Sequence, residues 1–151
     1  MRDVSELNIY YQNKVVEKPV PSDSDILSFE KKYGVKLPED YVSFIQTVNG
    51  GAPSLNLYVD DDMEFDVEAF YFLSLEADEE DYYSVIAASQ WPTESIGRTV
   101  IAIAGDGSGD QLIFDLSLGQ EVRLWRHDEE EEPEIIAASF SDFLSKLVEE
   151  D

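Results

Sequence analysis

The sequence predicts an α+β fold, a mainly antiparallel sheet with an N-terminal helix pair and a C-terminal helix packed against it. Three observations carry that expectation. Two closely spaced helical patterns follow the first twenty residues, three β-compatible runs joined by Gly-containing turns occupy the last third, and a segment with one apolar face closes the chain. Helices and strands come in blocks and do not alternate regularly, which disfavours a doubly wound parallel sheet. A length of 151 residues with ordinary apolar content, 43%, suits one domain with a substantial core.

Residues 1–21 read as an N-terminal arm, with Tyr10, Tyr11, Val15 and Val16 as apolar anchors before Lys18-Pro19 and Pro21 interrupt them; residues 22–151 read as the single domain. The first helix has Ser22 or Ser24 as its N-cap and Asp23 and Asp25 near its positive end. Ile26, Phe29 and Tyr33 share one face, Lys31 and Lys32 fill the last turn, and Gly34 stops it. The second is opened by Pro38, buries Tyr41, Phe44, Ile45 and Val48 at three-and-four spacing, and is stopped by Asn49-Gly50-Gly51, residues that tolerate a left-handed turn. LNLYV at 55–59 alternates as a strand, Asp60 to Asp62 form an acidic turn, and AFYFLSL at 69–75 reads as a second β run. A short helix is expected within 78–90, ended by Trp91-Pro92. TVIAIA at 99–104, QLIFDL at 111–116 and EVRLWRH at 121–127 read as a meander joined by GDGSGD and SLGQ. The acidic run DEEEEPE is a solvated loop, and IIAASFSDFLSKLVEED leads into the closing helix, with Ser139 or Ser141 as cap and Phe140, Phe143, Leu144 and Leu147 buried.

Charge narrows the classes of function. The formal net charge of −24 repels nucleic-acid phosphates and anionic membranes, and its positive counterpart is a basic protein partner. The excess is uneven: residues 52–97 hold 12 acids and no base, whereas residues 1–51 hold 8 acids and 6 bases. An electrostatic recognition surface therefore belongs to the middle and C-terminal portions, set against the plainer reading of a solvated acidic exterior. Asp3 and Glu6 interrupt any apolar core of a signal peptide, and no apolar run is long enough to span a bilayer. With no cysteine, thiol chemistry and disulfides are ruled out and a reducing cytoplasm is expected.

The motifs that would carry chemistry read better as structure. GDGSGD at 105–110 lacks the Lys-Ser or Lys-Thr pair of a phosphate loop, carries Asp106 and Asp110 where phosphate would sit, and precedes a strand, so a tight turn is expected. Neither an EF-hand spacing nor its final Glu is present, and no metal or other cofactor is expected. His127, the sole histidine, has no nucleophile elbow to serve and reads as a strand-end residue, so no catalytic residue is assigned. Aromatics lie among the acids: Tyr58 before Asp60, Phe65 between Glu64 and Asp66, Tyr82-Tyr83 after Asp81. Aromatic anchors within an acidic rim suit a basic protein surface, although each aromatic taken singly reads as core.

ILSFEKKYGVKLPEDYVSFIQTVNGG, residues 26–51, resembles the N-terminal signature of the SUKH superfamily, in the branch related to a yeast cell-wall-assembly regulator. TVIAIAGDGSGDQLIFDL at 99–116 resembles its second block and SFSDFLSKL at 139–147 its closing helix, in family order. The very acidic 52–97 segment and the N-terminal arm depart from the pattern. The resemblance implies a non-enzymatic α+β domain, in many bacterial members an immunity protein that neutralises a cognate toxin, often a nuclease, by binding it; other members are regulatory or scaffold modules for endogenous partners. The expectation is thus a cytoplasmic immunity protein for a basic toxin domain. Its candidate partner-binding residues, chosen on charge density, are Asp60, Asp61, Asp62, Glu64 and Asp66 in one group and Asp78, Glu79, Glu80 and Asp81 in another.

Overall fold

The computed structural model describes residues 1–12 and 16–150; Val15, one of the apolar residues of the arm, lies outside them. The first helix, α1 (Asp23–Tyr33), opens on a reciprocal capping box: Ser22 Oγ accepts from the Asp25 N–H at 3.1 Å, and Asp25 Oδ2 accepts from the Ser22 N–H at 2.9 Å. Gly34, at φ +67°, closes it by donating to the Glu30 carbonyl. After a short connection α2 (Glu39–Thr47) buries Tyr41, Phe44 and Ile45, the spacing the sequence predicts.

The end of α2 differs from its expectation. Val48 is extended, and the positive φ values lie beyond it, at Gly50 (+90°) and Gly51 (+119°). Asn49 is buried and acts as a bracket: its Nδ2 donates to the Pro19 and Leu73 carbonyls, both at 2.9 Å, and its Oδ1 accepts from the Leu73 N–H at 2.8 Å. Gly50 passes so close to the next segment that a Cβ there would lie 3.0 Å from the Phe72 nitrogen. Asn-Gly-Gly therefore fastens the chain to residues 72–73, while α2 itself ends at the extended Val48.

Two antiparallel sheets follow. The smaller has the order β2-β1-β8, from β1 (Leu57–Asp60), β2 (Met63–Asp66) and β8 (Leu147–Val148); the larger is β3-β4-β5-β6-β7, from β3 (Ala69–Phe70), β4 (Ile101–Gly105), β5 (Gln111–Phe114), β6 (Val122–Trp125) and β7 (Glu134–Ala137). The expected meander is β4-β5-β6, paired in register from Ile101↔Phe114 to Ile113↔Arg123, with a bulge between Ala102 and Ala104. The fold is α+β, as the block order of the sequence implies.

Several boundaries move. Only Ala69 and Phe70 of the 69–75 run join the ladder, because Phe72 instead pairs its N–H with the Tyr83 carbonyl and Leu73 is taken by Asn49. The helix expected within 78–90 is α3 (Val85–Ile96), starting later and running through Trp91-Pro92. Ser84 caps it, its side chain accepting from the Ala87 N–H, while residues 78–81 close on themselves through Asp78 and Asp81. Pro92 removes one intrahelical donor, yet the helix continues because β4 holds it at both ends of that gap. Ser89 Oγ accepts from the Ala102 N–H at 2.8 Å, and Thr93 Oγ1 accepts from the Val100 N–H at 3.2 Å. Residues 134–137, read as loop and lead-in, form β7, and α4 (Phe140–Ser145) is only 6 residues long. Arg2 ends α4, donating to the Leu144 and Leu147 carbonyls at 2.6 and 2.9 Å, and the chain then pairs with β1 as β8. Residues 1–12 thus contact the domain directly: Leu7 is fully buried at the end of a 3₁₀ turn, Val4–Leu7, and Tyr10 bridges to Ala52.

Phe140 is the hub of the core, with ring centroids 5.3 Å from Tyr41, 5.1 Å from Phe44 and 6.3 Å from Phe70 and Phe114. Phe70 faces this cluster, while the next residue, Tyr71, by strand alternation, faces the cleft described below.

Candidate functional site

A cleft of about 570 Å³ opens where three separated segments meet: residues 68–71 around β3, the turn before α3 with α3 itself as far as Glu94, and the β4–β5 turn. Helical spacing sets one wall, since Ala87, Trp91 and Glu94 recur at four and three residues and so share a face. The lining holds four carboxylates, Glu68, Glu79, Glu94 and Asp110, and four aromatics, Tyr71, Tyr82, Tyr83 and Trp91; no Lys or Arg is among the described residues that line it. Tyr82 and Trp91 are notably open, 75% and 51% exposed, for side chains of their size.

Hydrogen bonds fix part of this wall. Tyr83 donates its hydroxyl to Glu68 Oε1 at 2.7 Å, and burial together with that carboxylate pushes the phenol up to about 12. The Tyr71 phenol is also pushed up, by burial first and then by Glu68 and Asp106. Its hydroxyl occupies the space a Cβ on Gly105 would need, which is why the last residue of β4 must be bare. Both phenols therefore stay neutral at physiological pH, and Tyr83 is a donor to a carboxylate. Behind the lining residue Asp110, His127 Nδ1 lies 2.7 Å from Asp110 Oδ1, which also accepts the His127 backbone N–H at 3.1 Å. The imidazole packs 5.5 Å from the Trp91 ring and over Gly109, whose φ is +117°. On the floor, Gln111 is 6% exposed and its Oε1 has no hydrogen-bond partner among the described residues.

The Asp110 bond is the largest influence raising the His127 pKa, opposed by desolvation and reinforced by the charges of Asp110, Asp128 and Asp106. A raised folded-state value means stability that is present below the ordinary 6.5 and is lost as pH rises through the folded value. We expect the stability advantage of the native protein over His127→Gln, read by urea unfolding, to be larger at pH 6 than at pH 8; an advantage that grows with pH would contradict the assignment.

Asp110, His127 and Asp128 offer ligand atoms within 4.8 Å of one another, but the first two are already bonded to each other and Asp128 is exposed. Acceptor carboxylates, neutral phenols and open aromatic faces make an arrangement suited to holding a cation.

The acids singled out by charge density fall in two places. Asp60, Asp61 and Asp62 form the β1–β2 turn, with Asp61 at φ +54° and Asp60 paired with Lys146 at 3.0 Å. Glu64 and Asp66 are exposed on β2, and the Asp66 carboxyl is pushed up by burial and then by Glu150, Asp106 and Glu68. Asp78, Glu79, Glu80 and Asp81 share the turn before α3, where Asp78 and Asp81 accept local backbone N–H groups. Of the nine, Glu79 lines the cleft. Glu68, Tyr71, Trp91, Glu94, Asp110 and Gln111 were not singled out as binding residues. Trp91-Pro92 read as a helix stop, which hid the shared face of Trp91 and Glu94.

Fold and cleft together define an α+β domain presenting an acidic site walled by aromatics. A family model described as SMI1 / KNR4 family (SUKH-1) matches residues 21–146, and the chain belongs to that family. The match covers the first two blocks that carried the resemblance and all of the third but its last residue, Leu147. A search of curated proteins found no match. Among the described residues no helix is long and apolar enough to cross a membrane.

Proposed function

We propose that this protein is an immunity protein that binds a basic domain of a cognate bacterial toxin and neutralises it by occlusion, without catalysis. The observation that carries the reading is the cleft itself: four carboxylates and four aromatics with no Lys or Arg among the described residues lining it, on a chain of net charge −24. Such a surface attracts a basic partner at long range and gives it aromatic area to bury on contact. The turn before α3 carries that field to the cleft through Glu79, and the exposed acids of the β1–β2 turn add to the negative charge of the chain. Membership of the SMI1 / KNR4 family (SUKH-1) supports the reading through the immunity proteins that the resemblance brings with it.

The test is affinity capture from the native cell, followed by expression of the captured protein alone and together with this chain. The reading requires that the partner arrest growth alone and that co-expression restore it. A harmless endogenous partner would instead favour a regulatory or scaffold role, and turnover of a substrate by the purified chain would remove the non-catalytic claim.

A further inference from the structure

We propose that the cleft is a socket for one arginine side chain projecting from the partner protein, its guanidinium stacked on Trp91 and held by Glu94, Glu68 and the Gln111 amide. The inference rests on the reading above that the partner is a basic protein, and it names the group that enters. Three observations converge on it. Glu94 is exposed on the same face of α3 as Trp91, and Glu68 lines the cleft from a separate segment, its carboxylate accepting from the Tyr83 hydroxyl through one oxygen. A single cation between them relieves repulsion between carboxylates that hold no ion pair with Lys or Arg among the described residues. Gln111 supplies an independent sign: a side chain more than nine-tenths buried in the lining of the cleft whose oxygen lacks a donor among the described residues. A buried unpaired acceptor is destabilising, and a ligand N–H removes that defect.

Guanidinium fits better than ammonium for geometric reasons. Its plane stacks on an indole face, it is more weakly hydrated, and its five N–H donors serve two carboxylates and an amide at once. Trp91 is fixed for that use, because Trp125 meets it edge-on at 5.3 Å and His127 packs beside it at 5.5 Å. Asp110 is occupied by His127, leaving Glu68 and Glu94 as the principal acceptors.

The test titrates the ¹⁵N-labelled full chain with capped arginine (N-acetyl-arginine amide), capped lysine, capped citrulline and free arginine, following the Trp91 indole and Gln111 side-chain signals. Capped arginine should give saturable shifts at both groups. Lysine should bind at least about 3-fold more weakly, and Trp91→Ala or Glu94→Gln should each weaken arginine by about 5-fold or more, the scale of one cation–π or charged contact. Glu94→Gln is isosteric on an exposed helix face and keeps the test valid if Trp91→Ala disturbs α3. Citrulline, planar but neutral, should leave both signals unmoved. Shifts spread over the β1–β2 turn, equal binding of lysine, tighter binding of free than of capped arginine, or indifference to both variants would overturn the socket. A captured toxin that binds both variants at native affinity would also overturn it while leaving the immunity reading standing, whereas arginine shifts with a harmless partner would do the reverse.

Discussion

Phe140→Ala is expected to destabilise the protein by about 3–5 kcal/mol, the range for emptying a fully buried aromatic site whose surroundings relax only in part. Phe140 is completely buried, and its ring meets Tyr41 and Phe44 on α2, Phe70 on β3, Phe114 on β5 and Phe143 on its own helix. The first turn of α4 is tied to α2 by Asp40, whose Oδ2 accepts both the N–H and the hydroxyl of Ser141 at 2.8 Å, so α4 cannot slide inward to fill the space. Equilibrium unfolding in urea should show a lower midpoint with little change in slope. A loss below about 1 kcal/mol would mean that the aromatic cluster is not the packed centre described.

Asn49→Ala is expected to cost about 2–4 kcal/mol, because it leaves several buried backbone groups without partners at once. The side chain joins Pro19, before α1, to Leu73, beyond β3, and replaces the ladder bond that residue 73 would otherwise need. Asn49→Asp separates hydrogen bonding from size. It keeps an acceptor for the Leu73 N–H but turns a carboxylate oxygen toward two carbonyls, so it too should be strongly destabilised. Urea unfolding of the two variants side by side tests this; native-like stability in Asn49→Asp would show that the amide donor contributes little.

These two residues also show what the sequence could and could not disclose. The helix pair was legible because its signals are local: Ser22 with Asp25, Lys31 and Lys32, and Gly34 act within one turn of the residues they cap. The meander was legible for the same reason, with Gly-containing turns setting off three apolar runs. Asn49 looked like a helix stop because Asn before Gly commonly is one, and its actual partners lie 30 and 24 residues away. Strand β8 read as helix since the residues that decide it, Arg2 and Leu57, are remote in sequence, one near the start of the chain and the other in β1. Pro92 marked an end that packing against β4 overrules. The cleft was hidden more thoroughly. Its walls come from three segments, and Glu68 and Glu94 are indistinguishable in sequence from the other acids among 34. Only the interleaving of acids with Tyr82 and Tyr83 pointed toward it.

The central claim is that a negative face meets a positive one, and the association rate with the captured partner as a function of salt tests it most directly. A variant carrying Asp61→Asn, Asp62→Asn, Glu64→Gln, Glu79→Gln and Glu80→Gln removes charge from side chains that hold no ion pair in the structure; Asn is suited to the left-handed backbone at position 61. Native protein should associate fast at low ionic strength and slow steeply as salt is added. The variant should start about tenfold slower and respond weakly, the two converging where charges are screened. Identical, salt-insensitive rates for both proteins would contradict the account.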